Sequence, residues 1–139
     1  MKSNLPSALL ATVLLLGCRS QQLSPGVAAS LHPFAGTYYR GDGLGYNVTV
    51  NLKPDARYTA QWRGCLGVYG TARGTWALDG QRIVFSPSKE TDMMRGHLRE
   101  LHIVRQDGQI VFVPDLTDSY YRQYGPNRYS AFERQDEKR

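Results

Sequence analysis

Between Tyr46 and Leu78 apolar and polar residues alternate through three successive runs, and this period of two confines the segment to β structure. Tyr46, Val48, Val50 and Leu52 fall on one face of the first run, with Asn47, Thr49 and Asn51 on the other. In the second, Tyr58, Ala60 and Trp62 face inward, opposite Arg57, Thr59 and Gln61. In the third, Ala72, Gly74, Trp76 and Leu78 share a side, opposite Thr71, Arg73 and Thr75. Such runs predict an antiparallel meander whose inner face carries aromatics.

The connections have turn chemistry. In Lys53-Pro54-Asp55-Ala56 the proline presets φ and the aspartate can bond its own backbone. Asp79-Gly80 is a strong two-residue turn. Arg63 to Gly70, with three glycines, predicts a loop or a bulged hairpin end. A first strand is expected around Gly36-Thr37-Tyr38-Tyr39, with Tyr38 on the opposite face from its neighbours. Arg82 to Pro87, Leu98 to Arg105 and Gln109 to Pro114 read as further strands, and Ser88 to Gly96 as a loop or a single helical turn. Asp115 to Tyr124 suits a short helix capped by Thr117 or Asp118 and stopped by Gly125-Pro126. Tyr129 to Phe132 is expected to close the sheet, and Glu133 to Arg139 to form a frayed, charged tail. The fold class is therefore all-β: a small antiparallel meander barrel or strongly curled sheet of about seven or eight strands, with one short C-terminal helix. A two-sheet sandwich is the rival.

The N-terminus follows different rules. Met1-Lys2 is a positive start, and Leu5 to Leu16 is apolar. That run is too short for a membrane span of ~20 residues, and it suits the apolar region of a secretory signal. It ends Leu15-Leu16-Gly17-Cys18. Here the chain resembles the bacterial lipoprotein signal: an aliphatic residue, a tolerant position, Gly or Ala, then Cys. Leu16 is bulkier than the residue most common at its position. The resemblance implies cleavage before Cys18, a diacylglycerol thioether on its sulfur and an acyl chain on its new amino group. Such an anchor holds a protein on a membrane permanently. Arg19 stands where Asp would retain a lipoprotein at the inner membrane, so the resemblance implies the outer membrane, facing the periplasm. The expected organisation is a signal peptide over 1–17, lipidated Cys18 with a flexible tether over 18–33, and a β-domain over 34–139. Leu52-Lys53-Pro54-Asp55-Ala56-Arg57-Tyr58 is also similar to hairpins of small envelope β-domains of lipocalin-like build, which usually carry Gly where this chain has Ala56.

The formal charge of +5 is modest and scattered. It favours anionic neighbours such as lipopolysaccharide or an acidic glycan and does not argue for nucleic acid. With Cys18 lipidated, Cys65 is left alone. His97 and His102 are five apart with Glu100 between, which misses the four-residue spacing of a helical zinc motif. Met93, Met94, His97 and Cys65 are soft-metal types, yet Val68 stands where copper-stress lipoproteins of lipocalin-like build complete a Cys-x-x-Cys pair. Hydrolase motifs are missing, and no metal or cofactor is expected.

Aromatics carry the functional signal, because Tyr and Trp join a large apolar body to a polar tip. Tyr46, Tyr58, Trp62 and Trp76 are candidates to line a ligand cavity. Tyr120, Tyr121, Arg122, Tyr124, Arg128 and Tyr129 are candidates for an interaction patch. The leading expectation is a non-enzymatic binding lipoprotein whose partner is an envelope protein, lipopolysaccharide or a glycan. The alternatives are a carrier of a small lipophilic ligand and a copper or redox stress protein.

Overall fold

A computed structural model describes residues 32–135. The expected signal peptide, Cys18 and the tether up to residue 31 lie outside them, as do residues 136–139. Seven strands follow one another as antiparallel neighbours, β1 (Gly36–Gly41), β2 (Asn47–Leu52), β3 (Arg57–Gly64), β4 (Gly67–Asp79), β5 (Arg82–Glu90), β6 (Glu100–Gln106) and β7 (Gln109–Val113), and an eighth, β8 (Glu133–Arg134), pairs antiparallel with β1. The order in the sheet is β7-β6-β5-β4-β3-β2-β1-β8. Phe132, just before β8, bridges to Phe112 of β7, so the sheet curls into a nearly closed barrel rather than a sandwich.

The alternation sets the core as the sequence predicts. Tyr38, Val48, Val50, Leu52, Tyr58 and Trp76 are buried in one cluster that also takes in Phe85, Leu101, Phe112 and Phe132. Tyr58 and Trp76 are only 1% and 2% exposed, so they fill the interior. Trp76 also ties the barrel's floor, since its indole N–H donates to the Lys53 carbonyl at 3.0 Å. Ala56 sits in the β2–β3 turn at φ 64, the left-handed region that the usual glycine would occupy freely.

Two bulges tighten the curl. Register shifts between Trp62 and Arg63 where β3 meets β4, and again between Arg73 and Gly74 where β4 meets β5. An extra residue bends its strand and adds twist. The glycine-rich segment from Arg63 is thus a bulged hairpin end, and β4 already begins at Gly67.

Three boundaries differ from the sequence reading. Ser88 to Glu90 extend β5, and only Asp92–Met94 form a 3-10 turn. The closing strand is Glu133–Arg134 rather than Tyr129 to Phe132. The Ser130 and Ala131 amides both bond the Asn127 carbonyl, which holds that stretch in a turn and delays pairing until Phe132. The expected tail therefore begins as a strand: Tyr39 pairs with Glu133 and Tyr38 with Arg134.

The helix α1 (Ser119–Tyr124) is capped by Asp118, whose carboxylate accepts the Tyr121 amide at 2.9 Å. Gly125 ends it at φ 69, its amide bonded to the Tyr121 carbonyl. Beneath the helix Val111, Val113 and Ala131 form a second small cluster, joined by Val104 and Tyr121. This outer layer explains why β7 buries successive residues instead of alternating.

Candidate functional site

The four residues expected to line a cavity separate into two sets. Tyr58 and Trp76 are packed in the core cluster. Tyr46 and Trp62 lie half-buried at the end of the barrel that carries the β1–β2 loop and the β3–β4 turn. There they meet His97, which the sequence placed with the soft-metal residues. The Tyr46 and Trp62 rings are edge to face at 4.7 Å, and Trp62 lies 4.8 Å from the imidazole, centroid to centroid. The Tyr46 hydroxyl is 3.0 Å from His97 Nε2, and the Arg40 guanidinium lies 5.2 Å from the Tyr46 ring centroid. The loop beside them is fixed by Asp42, whose carboxylate accepts the Leu44 and Tyr46 amides. The Trp62 indole N–H donates to the Gly45 carbonyl at 3.2 Å.

Burial holds the His97 pKa below its ordinary value, and the Arg40 charge adds to this. The Tyr46 hydroxyl and His97 Nε2 share one hydrogen bond, whose direction follows the imidazole tautomer. Burial likewise pushes the Tyr46 phenol up, against the opposing pull of Arg40. The cluster is a packed aromatic plug.

The soft-metal side chains are not assembled. Met94 is in the core while Met93 is exposed. His97 Nε2 is taken by Tyr46, and the Cys65 thiol, on the exposed β3–β4 turn, donates to the Leu44 carbonyl at 3.4 Å. Among the described residues no group of three or more His, Cys, Asp or Glu side chains is placed to hold a metal ion. Glu100 and His102 do share a face, as a surface pair 3.8 Å apart, with Arg82 also bound to Glu100.

The C-terminal patch is largely brought together. Tyr120 and Tyr124, one helical turn apart, have ring centroids 4.7 Å apart, and Tyr129 meets Tyr120 edge-on at 6.3 Å. All three are exposed, at 40%, 60% and 42% respectively. The Arg128 guanidinium lies 4.7 Å from the Tyr129 ring centroid and bonds its hydroxyl. The ledge is anchored to β1: Arg40 Nε donates to the Tyr129 carbonyl at 2.9 Å, and the Gly41 amide to the Arg128 carbonyl at 2.9 Å. Arg122 is exposed on the last helical turn. Tyr121 is the correction to the expected patch. It turns inward onto Val111, Val113 and Ala131, because β7 presents an apolar outer face that the helix must cover.

No family model matches the chain, and neither a curated protein nor a solved structure matches it.

Proposed function

We propose that this chain is an outer-membrane lipoprotein, anchored through Cys18 and facing the periplasm, that acts as a non-enzymatic binding module. One observation carries the reading. The barrel interior is occupied by its own side chains, while three tyrosines and an arginine stand on the surface in fixed positions. Tyr and Arg are the residues that most often dominate protein interfaces. Here the ring contacts, and the bonds from the Arg40 side chain and the Gly41 amide to the Tyr129 and Arg128 carbonyls, hold them before any partner arrives, which lowers the ordering cost of binding. Two groups with nucleophilic or acid–base chemistry are engaged within the fold: the His97 ring by Tyr46 and Trp62, and the Cys65 thiol by a carbonyl. The partner is an envelope component that meets the Tyr120–Tyr124–Tyr129–Arg128 ledge.

Two experiments test this. Labelled palmitate should be incorporated into the chain in a bacterial host and be lost in Cys18→Ser. Photo-crosslinking from position 124 in cells should give a discrete adduct that disappears on Arg128→Ala. No adduct from position 124, or one that persists in Arg128→Ala, would overturn the ledge.

A further inference from the structure

The register aligns the outward faces of β1 to β5. Thr37 pairs with Asn51, Asn51 with Thr59, Thr59 with Arg73, and Arg73 with Lys89, one row of side chains across five strands. A second row runs from Thr49 to Gln61 to Thr71. It is continued by Thr91, whose hydroxyl accepts the Thr71 amide at 2.9 Å. Adjacent strands are ~4.8 Å apart, so the first row spans roughly 19 Å.

The two rows line a groove of about 700 Å³, and none of its twelve lining residues is acidic. It shares Thr59 and Arg73 with a second groove of about 410 Å³, also free of acidic lining residues, to which Lys53 and Arg57 contribute. Two carboxylates on these strands and turns are paired, Glu90 with Arg99 at 2.7 Å and Asp55 with Arg57, while Glu133 stands at the β8 end of the second row, beside Tyr39. Arg73 and Lys89 enter no ion pair among the described residues.

We propose that this groove binds an acidic polysaccharide, laid across the strands, at a site separate from the tyrosine ledge. Hydroxyl and amide side chains in rows suit a ligand bearing hydroxyls along its length. Arg63, Arg73 and Lys89 complement its carboxylates, the guanidinium bidentately. A peptide strand is a poorer fit. It needs a free sheet edge and apolar sockets, but β1 already has β2 and β8 as neighbours and the lining is polar apart from Ala60 and Ala72. Nucleic acid is poorer still, since no lining residue is aromatic and bases need stacking platforms.

The test is calorimetric titration of the purified full-length chain, in detergent, with polygalacturonate. Saturable binding is expected, weakening as salt rises. Arg73→Gln combined with Lys89→Gln should weaken it at least tenfold. Thr59→Val, which keeps the strand-favouring shape and removes one hydroxyl, should weaken it severalfold. Arg105→Gln, exposed on β6, and Tyr124→Ser on the ledge should leave it unchanged. No saturable binding, equal affinity for polyglutamate or single-stranded DNA, or indifference to the double variant would overturn the proposal. A response to Tyr124→Ser would place glycan binding on the ledge instead.

Discussion

Phe112 and Phe132 exchange a reciprocal pair of backbone hydrogen bonds, at 3.1 and 2.8 Å, and both rings are fully buried. That single bridge is where the curled sheet meets itself. Phe112 also packs on Tyr38 of β1, ring centroids 4.3 Å apart, so the seam is closed by side chains as well as by backbone. Phe132→Ala should therefore cost about 3–5 kcal/mol, the usual loss for a buried phenylalanine, read from urea unfolding. It should also make the protein aggregate at concentrations the parent tolerates, because loosening the bridge frees β7 and β1 for pairing with other chains.

Tyr58 predicts a gain rather than a loss. Its hydroxyl is buried and has no hydrogen-bond partner among the described residues, while its ring meets Phe85 edge-on at 4.8 Å. An unsatisfied buried hydroxyl costs ~1 kcal/mol or more. Tyr58→Phe keeps the ring and should raise stability by about that amount in denaturant unfolding. Burial, with the Glu90 charge, pushes the phenol to about 12. The unfolded chain thus releases this proton first, and the parent should lose stability as pH rises above ~10. Tyr58→Phe should not show that contribution.

The parts that were legible in the sequence are those where one residue's face decides its fate. Alternation placed Val48, Val50, Tyr58 and Trp76 inside without knowledge of their partners. Proline and glycine turns placed the hairpins for equally local reasons. What failed depended on distant neighbours. Glu133 and Arg134 have no strand-like pattern. They pair because β1 offers a free edge there, and Gln135 donates to the Thr37 carbonyl just beyond them. Tyr121 lies one residue from Tyr120 yet is oriented by an apolar stripe on β7. The run Val111-Phe112-Val113, buried on both faces, was the available signal. The threonine rows were visible as polar positions, but only register and the two bulges make them a surface.

Gly70 tests how the barrel's end is built. It lies opposite Trp62, and a Cβ there would stand 2.6 Å from the Thr91 carbonyl oxygen and 2.7 Å from the Met94 amide nitrogen. Both are backbone atoms, so the 3-10 turn must shift. Met94, carried by that turn, is fully buried. Gly70→Ala should destabilise by about 1–3 kcal/mol, as overpacking does. Gly45→Ala, where an added Cβ meets nothing within 4 Å, should change stability by less than about 0.5 kcal/mol. Equal effects at the two sites would contradict this packing.

His97 sets a dependence on acid. Its folded pKa is depressed, by burial first and by Arg40 second. The unfolded chain therefore takes up a proton near the ordinary histidine value of ~6.5, while the folded chain resists. The stability that neutral His97 contributes is complete above that pH and is lost as pH falls through it. Between about pH 7.5 and 5 the carboxylates with depressed pKa values, Asp42, Asp55, Glu90 and Asp115, keep their stabilisation, which they withdraw only at lower pH. Urea midpoints should fall across that window for the parent and fall less for His97→Gln. Trp62, packed on the imidazole, provides a second readout: its fluorescence should change as His97 takes up its proton in the folded chain, with a midpoint below pH 6.5. A midpoint at or above that value would show that the ring is not sequestered by Tyr46 and Trp62.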